Sequence, residues 1–190
     1  MSELDELKTL LEEYNFNRLE PIDFATFQEL VWFYPILAVL SADNKIDGAE
    51  RNFYLEQLEK KAHQEENLQI GTLKREARYI TENLALLEDL FLNALKILVK
   101  SKGWQNALMD NMLNAAKVSY EPWQTKTLYG EAENHLKFSK KVLDLVLEDV
   151  LDKKERVSED ELAVIINILQ KTDALNERNR MILEVFENSP

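Results

Sequence analysis

The stretch LVWFYPILAVL, residues 30–40, is the longest apolar run in the chain. It falls short of the roughly 18 apolar residues that a membrane-spanning helix needs, and it carries Pro35. An unbroken apolar run of this length reads as a helix buried on all sides. Working outward, Phe24, Phe27, Leu30, Val31, Tyr34, Leu37 and Leu40 recur every three or four residues. The helical pattern therefore runs to about Ala42. Pro21 suits the first turn of this helix. Pro35 removes one backbone hydrogen bond and crowds the preceding turn, so a kink is expected near Val31 and Trp32.

The rest of the chain repeats the same periodicity. Leu4, Leu7, Leu10 and Leu11 share one face of a short first helix ending near residues 15–17. After a polar connection at 43–46, Asp47 opens a third helix carrying Phe53, Tyr54, Leu58 and Ala62. Residues 63–71 (HQEENLQIG) lose periodicity and read as a loop or a frayed end. Residues 72–102 are helical in propensity, with a break expected at 81–83 and a stripe of Leu84, Leu87, Phe91, Ala94, Leu95 and Leu98. Gly103 is the expected stop. Residues 104–118 form a further helix with Leu108, Met112 and Ala115 inward. A loop is expected at 119–130, a long helix at 131–151, and two more helices at 158–171 and 176–187. Trp32, Phe33, Tyr34 and Trp104 lie on or beside apolar stripes and read as core. Trp123, beside Pro122 in the polar loop, is the candidate anchor for a partner.

Composition agrees. Four Gly and four Pro in 190 residues compare with roughly 12% in average proteins, too few for the many tight turns of a sandwich, barrel or doubly wound fold. The expectation is an all-α, compact bundle of eight or nine helices forming a single domain over 1–190. With no cysteine, disulfides, cysteine-based zinc sites and thiol nucleophiles are excluded. The acidic amphipathic start MSELDELKTLLEE is not a secretory signal, and a cytoplasmic location is expected. The chain has 23 Lys+Arg against 35 Asp+Glu, a net charge of −12, which repels phosphate backbones and argues against nucleic acid as a partner. The basic clusters Lys137, Lys140, Lys141 and Lys153, Lys154, Arg156 sit among acids and read as solvated helix faces.

The turn SADNKIDGAE, residues 41–50, carries the chemistry. Asp43, Asp47 and Glu50 place three carboxylates at one helix–helix connection, and converging carboxylates are how hard divalent cations are held. An EF-hand register from Asp43 puts Asp47 and Gly48 correctly. It puts Lys45, Glu50 and Tyr54 where an oxygen ligand, an aliphatic residue and a bidentate Glu belong. The same residues also read as a helix start, because Asp47-x-x-Glu50 is a capping box preceded by Ile46 as a hydrophobic staple. Ser158-x-x-Glu161, preceded by Val157, repeats the device. Capping and metal binding are compatible, and both stay open. At an offset of 111 residues, Val39-Leu40, Lys45-Ile46, Glu50, Leu55 and Leu58 align with Val150-Leu151, Arg156-Val157, Glu161, Ile166 and Leu169, a candidate duplication.

Residues 35–58, with Ala42, Asp43, Lys45, Ile46, Asp47 and Glu50 in place, resemble the first signature of the TerB-like (tellurite-resistance protein B) helical family. Asn44 stands where that family has Gly, and Asn is the next most tolerant residue there. The motif region lies near 31–62. A looser second-half match lies near 142–187, where Arg156, Val157, Ser158 and Glu161 fit while Lys154 and Glu155 replace the family's Asp and Gly. The resemblance implies a non-enzymatic helical domain tied to tellurite or stress resistance, with a protein partner in a membrane-associated complex. It implies a divalent cation (Ca, Mg, Mn or Zn) at Asp43, Asp47 and Glu50. The alternatives are a metal-free structural interaction module and a metal-dependent hydrolase.

Catalytic patterns are otherwise missing from the sequence. The Glu-x-x-His motif of di-iron bundles fails at His63 and His135, preceded three positions earlier by Lys60 and Ala132. Glu131 and His135 read as a solvated pair. There is no Gly-x-Ser-x-Gly elbow and no glycine-rich phosphate loop.

Overall fold

A computed structural model describes residues 2–16, 18–43, 46, 48–65, 67–116 and 157–187. These residues are all-helical, with eight helices and no strand among them. They are α1 (Glu3–Asn15), α2 (Phe24–Leu40), α3 (Gly48–Gln64), α4 (Ile70–Glu82), α5 (Leu84–Lys102), α6 (Gln105–Ala116), α7 (Glu159–Lys171) and α8 (Glu177–Glu187). The loop expected at 119–130, the helix at 131–151, Trp123 and both basic clusters lie outside the described residues.

α2 is the axis of the bundle. It packs against α1, α3, α4, α5, α6 and α7. That surround explains its apolar circumference: Phe27, Leu30, Val31, Leu37, Val39 and Leu40 are all essentially inaccessible. Full burial of each such side chain contributes about 1.5–3 kcal/mol. Asp23 caps the helix start, accepting the Thr26 N–H at 2.7 Å. Pro35 is buried inside the helix, which continues past it to Leu40. Ser41 closes it, donating from N–H (3.1 Å) and from Oγ (2.6 Å) to the Leu37 carbonyl.

The other helices are bounded by local signals. Ser2 and Asp5 form a capping box at α1. After α1, the Asn15 side chain clamps the backbone of Ile22, donating to its carbonyl at 2.9 Å and accepting its N–H at 3.0 Å. α4 and α5 are separated by Asn83 alone, within the expected break. Asn83 donates its side-chain amide to the Tyr79 carbonyl, 2.8 Å. Gly103 stops α5 in the left-handed conformation at φ 67°, where a Cβ is disfavoured. At the end of α7, Asp173 adopts φ 54° without being glycine, and its carboxylate reaches Lys96 at 2.7 Å.

The connection between α3 and α4 is shorter than its composition suggests. α3 continues to Gln64 and α4 begins at Ile70, with Leu68 buried between them. Lys61 supports the extended end of α3 by pairing with Glu65 one turn on, 2.6 Å. Trp104 is also less interior than its stripe implies: it is 37% exposed and lies 4.6 Å, centroid to centroid, from half-buried Trp32. No helix among the described residues is long and apolar enough to cross a membrane.

Candidate functional site

The turn between α2 and α3 brings two of the three expected carboxylates to one connection. Asp43 is exposed just beyond the end of α2. Glu50 lies in the first turn of α3 and is only 6% exposed, where the helix dipole favours a negative charge. Asp47, Asn44 and Lys45 lie outside the described residues. Neither Asp43 nor Glu50 is without a partner. Among the described residues no group of three or more Asp, Glu or His side chains is placed to hold a metal ion. The proposed triad cannot be assembled from that set alone, because its middle member falls outside it. Ile46 packs half-buried against the core.

The second acidic helix start is described in full. Ser158 Oγ accepts the Glu161 N–H at 3.2 Å, and Glu161 Oε2 accepts the Ser158 N–H at 2.7 Å. This is the capping box expected from Ser158-x-x-Glu161, and three acids fill the first turn of α7. Positions related by the offset of 111 share their environments. Glu50 and Glu161 are both buried, Leu58 and Leu169 are both fully buried, and Leu55 and Ile166 are both half-buried. α3 and α7 both pack on α2.

A cavity of about 540 Å³ opens beside the turn. Tyr34, Ala38 and Ser41 of the α2 end, Ile46 of the turn, Thr81 of α4 and Asn167 of α7 line it. Its size falls in the range of small-ligand pockets.

A buried network that periodicity does not reveal lies on the other side of α4. Glu76 is fully buried. Its carboxylate accepts the Tyr14 hydroxyl at 2.7 Å, the Arg75 Nε–H at 2.8 Å and an Arg18 guanidinium N–H. Arg18 stacks over Tyr79 at 3.9 Å and over Tyr14 at 4.7 Å. Arg75 also pairs with Glu20. Burial first, and the Glu76 hydrogen bond second, hold the Tyr14 hydroxyl well above the usual tyrosine range. The network ties the α1–α2 connection to α4. One sequence signal points to it: Glu76 sits on the inward stripe of Leu73, Ala77 and Ile80, where a lone charge needs a partner. Both arginines and the tyrosine supply that partner.

Comparison of the chain with protein-family models, with curated proteins and with solved structures finds no match.

Proposed function

We propose that the chain is a non-enzymatic helical domain of the TerB-like kind. In this reading it works as a binding component of a stress-response or membrane-associated assembly, with a divalent cation at Asp43, Asp47 and Glu50. One observation supports it above the others: α3 and α7 are built from matching positions, each with a buried Glu in its first turn, and both lie against α2. A two-half helical domain with paired acidic helix starts is what the resemblance implies. The cavity beside the first turn gives that surface room for a partner or ligand.

A second reading draws on the same helices. Glu161 serves as a capping-box residue, and Glu50 occupies the equivalent place. If Glu50 does the same with Asp47, the turn is a helix cap and the protein a metal-free interaction module.

Calorimetric titration of chelator-stripped protein with Ca²⁺, Mg²⁺, Mn²⁺ and Zn²⁺, run alongside Asp43→Asn, separates the two. Asp43 lies outside the capping box, so the substitution leaves the helix start intact. Micromolar binding that disappears in the variant is the expected result. An absence of binding, or binding indifferent to Asp43→Asn, would leave the interaction-module reading.

A further inference from the structure

The cavity of about 540 Å³ beside the acidic turn has a polar wall that belongs to other helices. Tyr34 of α2, Glu88 of α5 and Asn167 of α7 all line it. Asn167 donates its side-chain amide to Glu88 Oε1 at 3.2 Å, and Lys171 reaches the same oxygen at 2.9 Å. The Tyr34 ring stacks on Phe91, centroids 5.0 Å apart. Phe91 lies one turn beyond Glu88 on α5, so the phenol and the carboxylate are neighbours.

Two groups on this wall are left over. Tyr34 is 2% exposed, yet its hydroxyl makes no hydrogen bond with the described residues. Glu88 Oε2 has no partner among them either. Neither atom is among the unpartnered polar atoms sealed from solvent, which include the Tyr54 hydroxyl. Both therefore keep accessible surface, and both residues face this cavity.

The chemistry of the lining selects a donor-rich cation. Ser41 and Thr81, also in the lining, spend their hydroxyl protons on the Leu37 and Ala77 carbonyls, at 2.6 and 2.8 Å. Each can then offer only oxygen lone pairs, as an ionised carboxylate does. Lys171 is shared between Glu88 and Asp89, the latter at 3.5 Å, so two negative charges face one positive. Burial first, and the charges of Glu88 and Asp89 after it, hold the Tyr34 hydroxyl above the usual tyrosine range. Leu84 and Val164 add apolar surface, which suits the body of a small organic ligand.

We propose that this cavity binds a small organic ammonium with an apolar body. The ammonium donates to Glu88 Oε2, the Tyr34 oxygen and Asn167 Oδ1, three acceptors for three N–H groups, and the body lies against Leu84 and Val164. Asp43 and Glu50 do not line the cavity, so the site is separate from the divalent-cation reading of the acidic turn. Arg51 does line it, from α3, and would serve an anion instead; its removal is therefore part of the test.

The full chain, in EDTA, is titrated calorimetrically with phenethylamine and n-hexylamine, each against its matching alcohol, 2-phenylethanol or n-hexanol. At least one amine should bind about tenfold more tightly than its alcohol, as a hydrogen bond to a charged group provides. Glu88→Gln should remove that preference and leave the alcohol's affinity as it was. Tyr34→Phe should weaken the amine about threefold. Arg51→Gln should keep the amine's affinity or raise it. Circular dichroism and melting temperature check that each variant folds, and partly exposed Glu88 keeps the test alive should Tyr34→Phe misfold. No binding of either amine at millimolar concentration overturns the proposal. So does an amine preference that is absent or survives Glu88→Gln, an amine affinity indifferent to Tyr34→Phe in a folded variant, or a loss of amine affinity in Arg51→Gln. Because chelator is present throughout, failure here leaves the metal titration of the acidic turn untouched.

Discussion

Glu76 and Glu161 are both buried carboxylates on core-facing helices, and they are held in opposite ways. Glu161 accepts a hydrogen bond from the backbone of Ser158, three residues away. Glu76 finds its partners across the fold, at Tyr14 and Arg18, 62 and 58 positions earlier in the chain. The first arrangement assembles as soon as the helix starts. The second exists only when α1, the α1–α2 connection and α4 have met. The same chemical group is therefore a local instruction in one place and a tertiary fastening in the other.

The contrast is broken most directly at Glu76. Glu76→Ala leaves Arg18 and Arg75 without their buried counter-charge, and breaking such a pair from one side costs about 3–5 kcal/mol. Urea denaturation should show a lower midpoint with the slope retained. A loss near 1 kcal/mol or below would mean that water replaces the carboxylate and that the network fastens nothing.

Tyr14 sharpens the same side of the comparison. Its hydrogen bond to a charged partner is worth about 1.5–3 kcal/mol, and Tyr14→Phe should lower stability by that order at neutral pH. Because the folded protein holds this proton more tightly than the unfolded chain does, the contribution is complete below the ordinary tyrosine pKa of about 10. It is lost as pH rises above that value. Wild-type stability should thus fall more steeply than that of Tyr14→Phe in alkaline titrations. Parallel curves would place the phenol outside the network.

The smallest effect belongs to the local cap. Ser158→Ala should cost about 1 kcal/mol, read from the thermal midpoint, and Ser158→Asp should recover most of it. Equal losses at Ser158 and Glu76 would erase the distinction between the two kinds of holding.

That distinction also marks what could be read from residues alone. The break at Asn83, the stop at Gly103 and the box at Ser158 depend on neighbours within a turn or two, and each stands where periodicity and capping place it, whereas α2 starts at Phe24 behind Asp23, after Pro21. The Glu76 network and the pairing of Trp32 with Trp104 depend on elements far apart in the chain. Residues 63–71 read as a loop or a frayed end because periodicity is weak there, and the structure places two helix ends in that stretch, at Gln64 and Ile70, beside Lys61 and buried Leu68. The acidic turn is legible as a helix boundary: Asp43 falls after α2 and Glu50 inside the first turn of α3. Whether the turn caps a helix or holds a cation is not legible, because a carboxylate that caps and one that coordinates are spelled by the same residues.

The central place of α2 has a consequence for how the chain comes together. α2 is made before one of its covering walls, α7, which lies more than a hundred residues downstream. Contacts that span so much chain form late, since the loop between them closes before the contact rewards it. During synthesis, at about 5–20 residues per second, the most apolar helix of the protein waits several seconds or more for its last neighbour to be translated. Newborn chains truncated before α7 should therefore be the form that chaperones recognise and that aggregates.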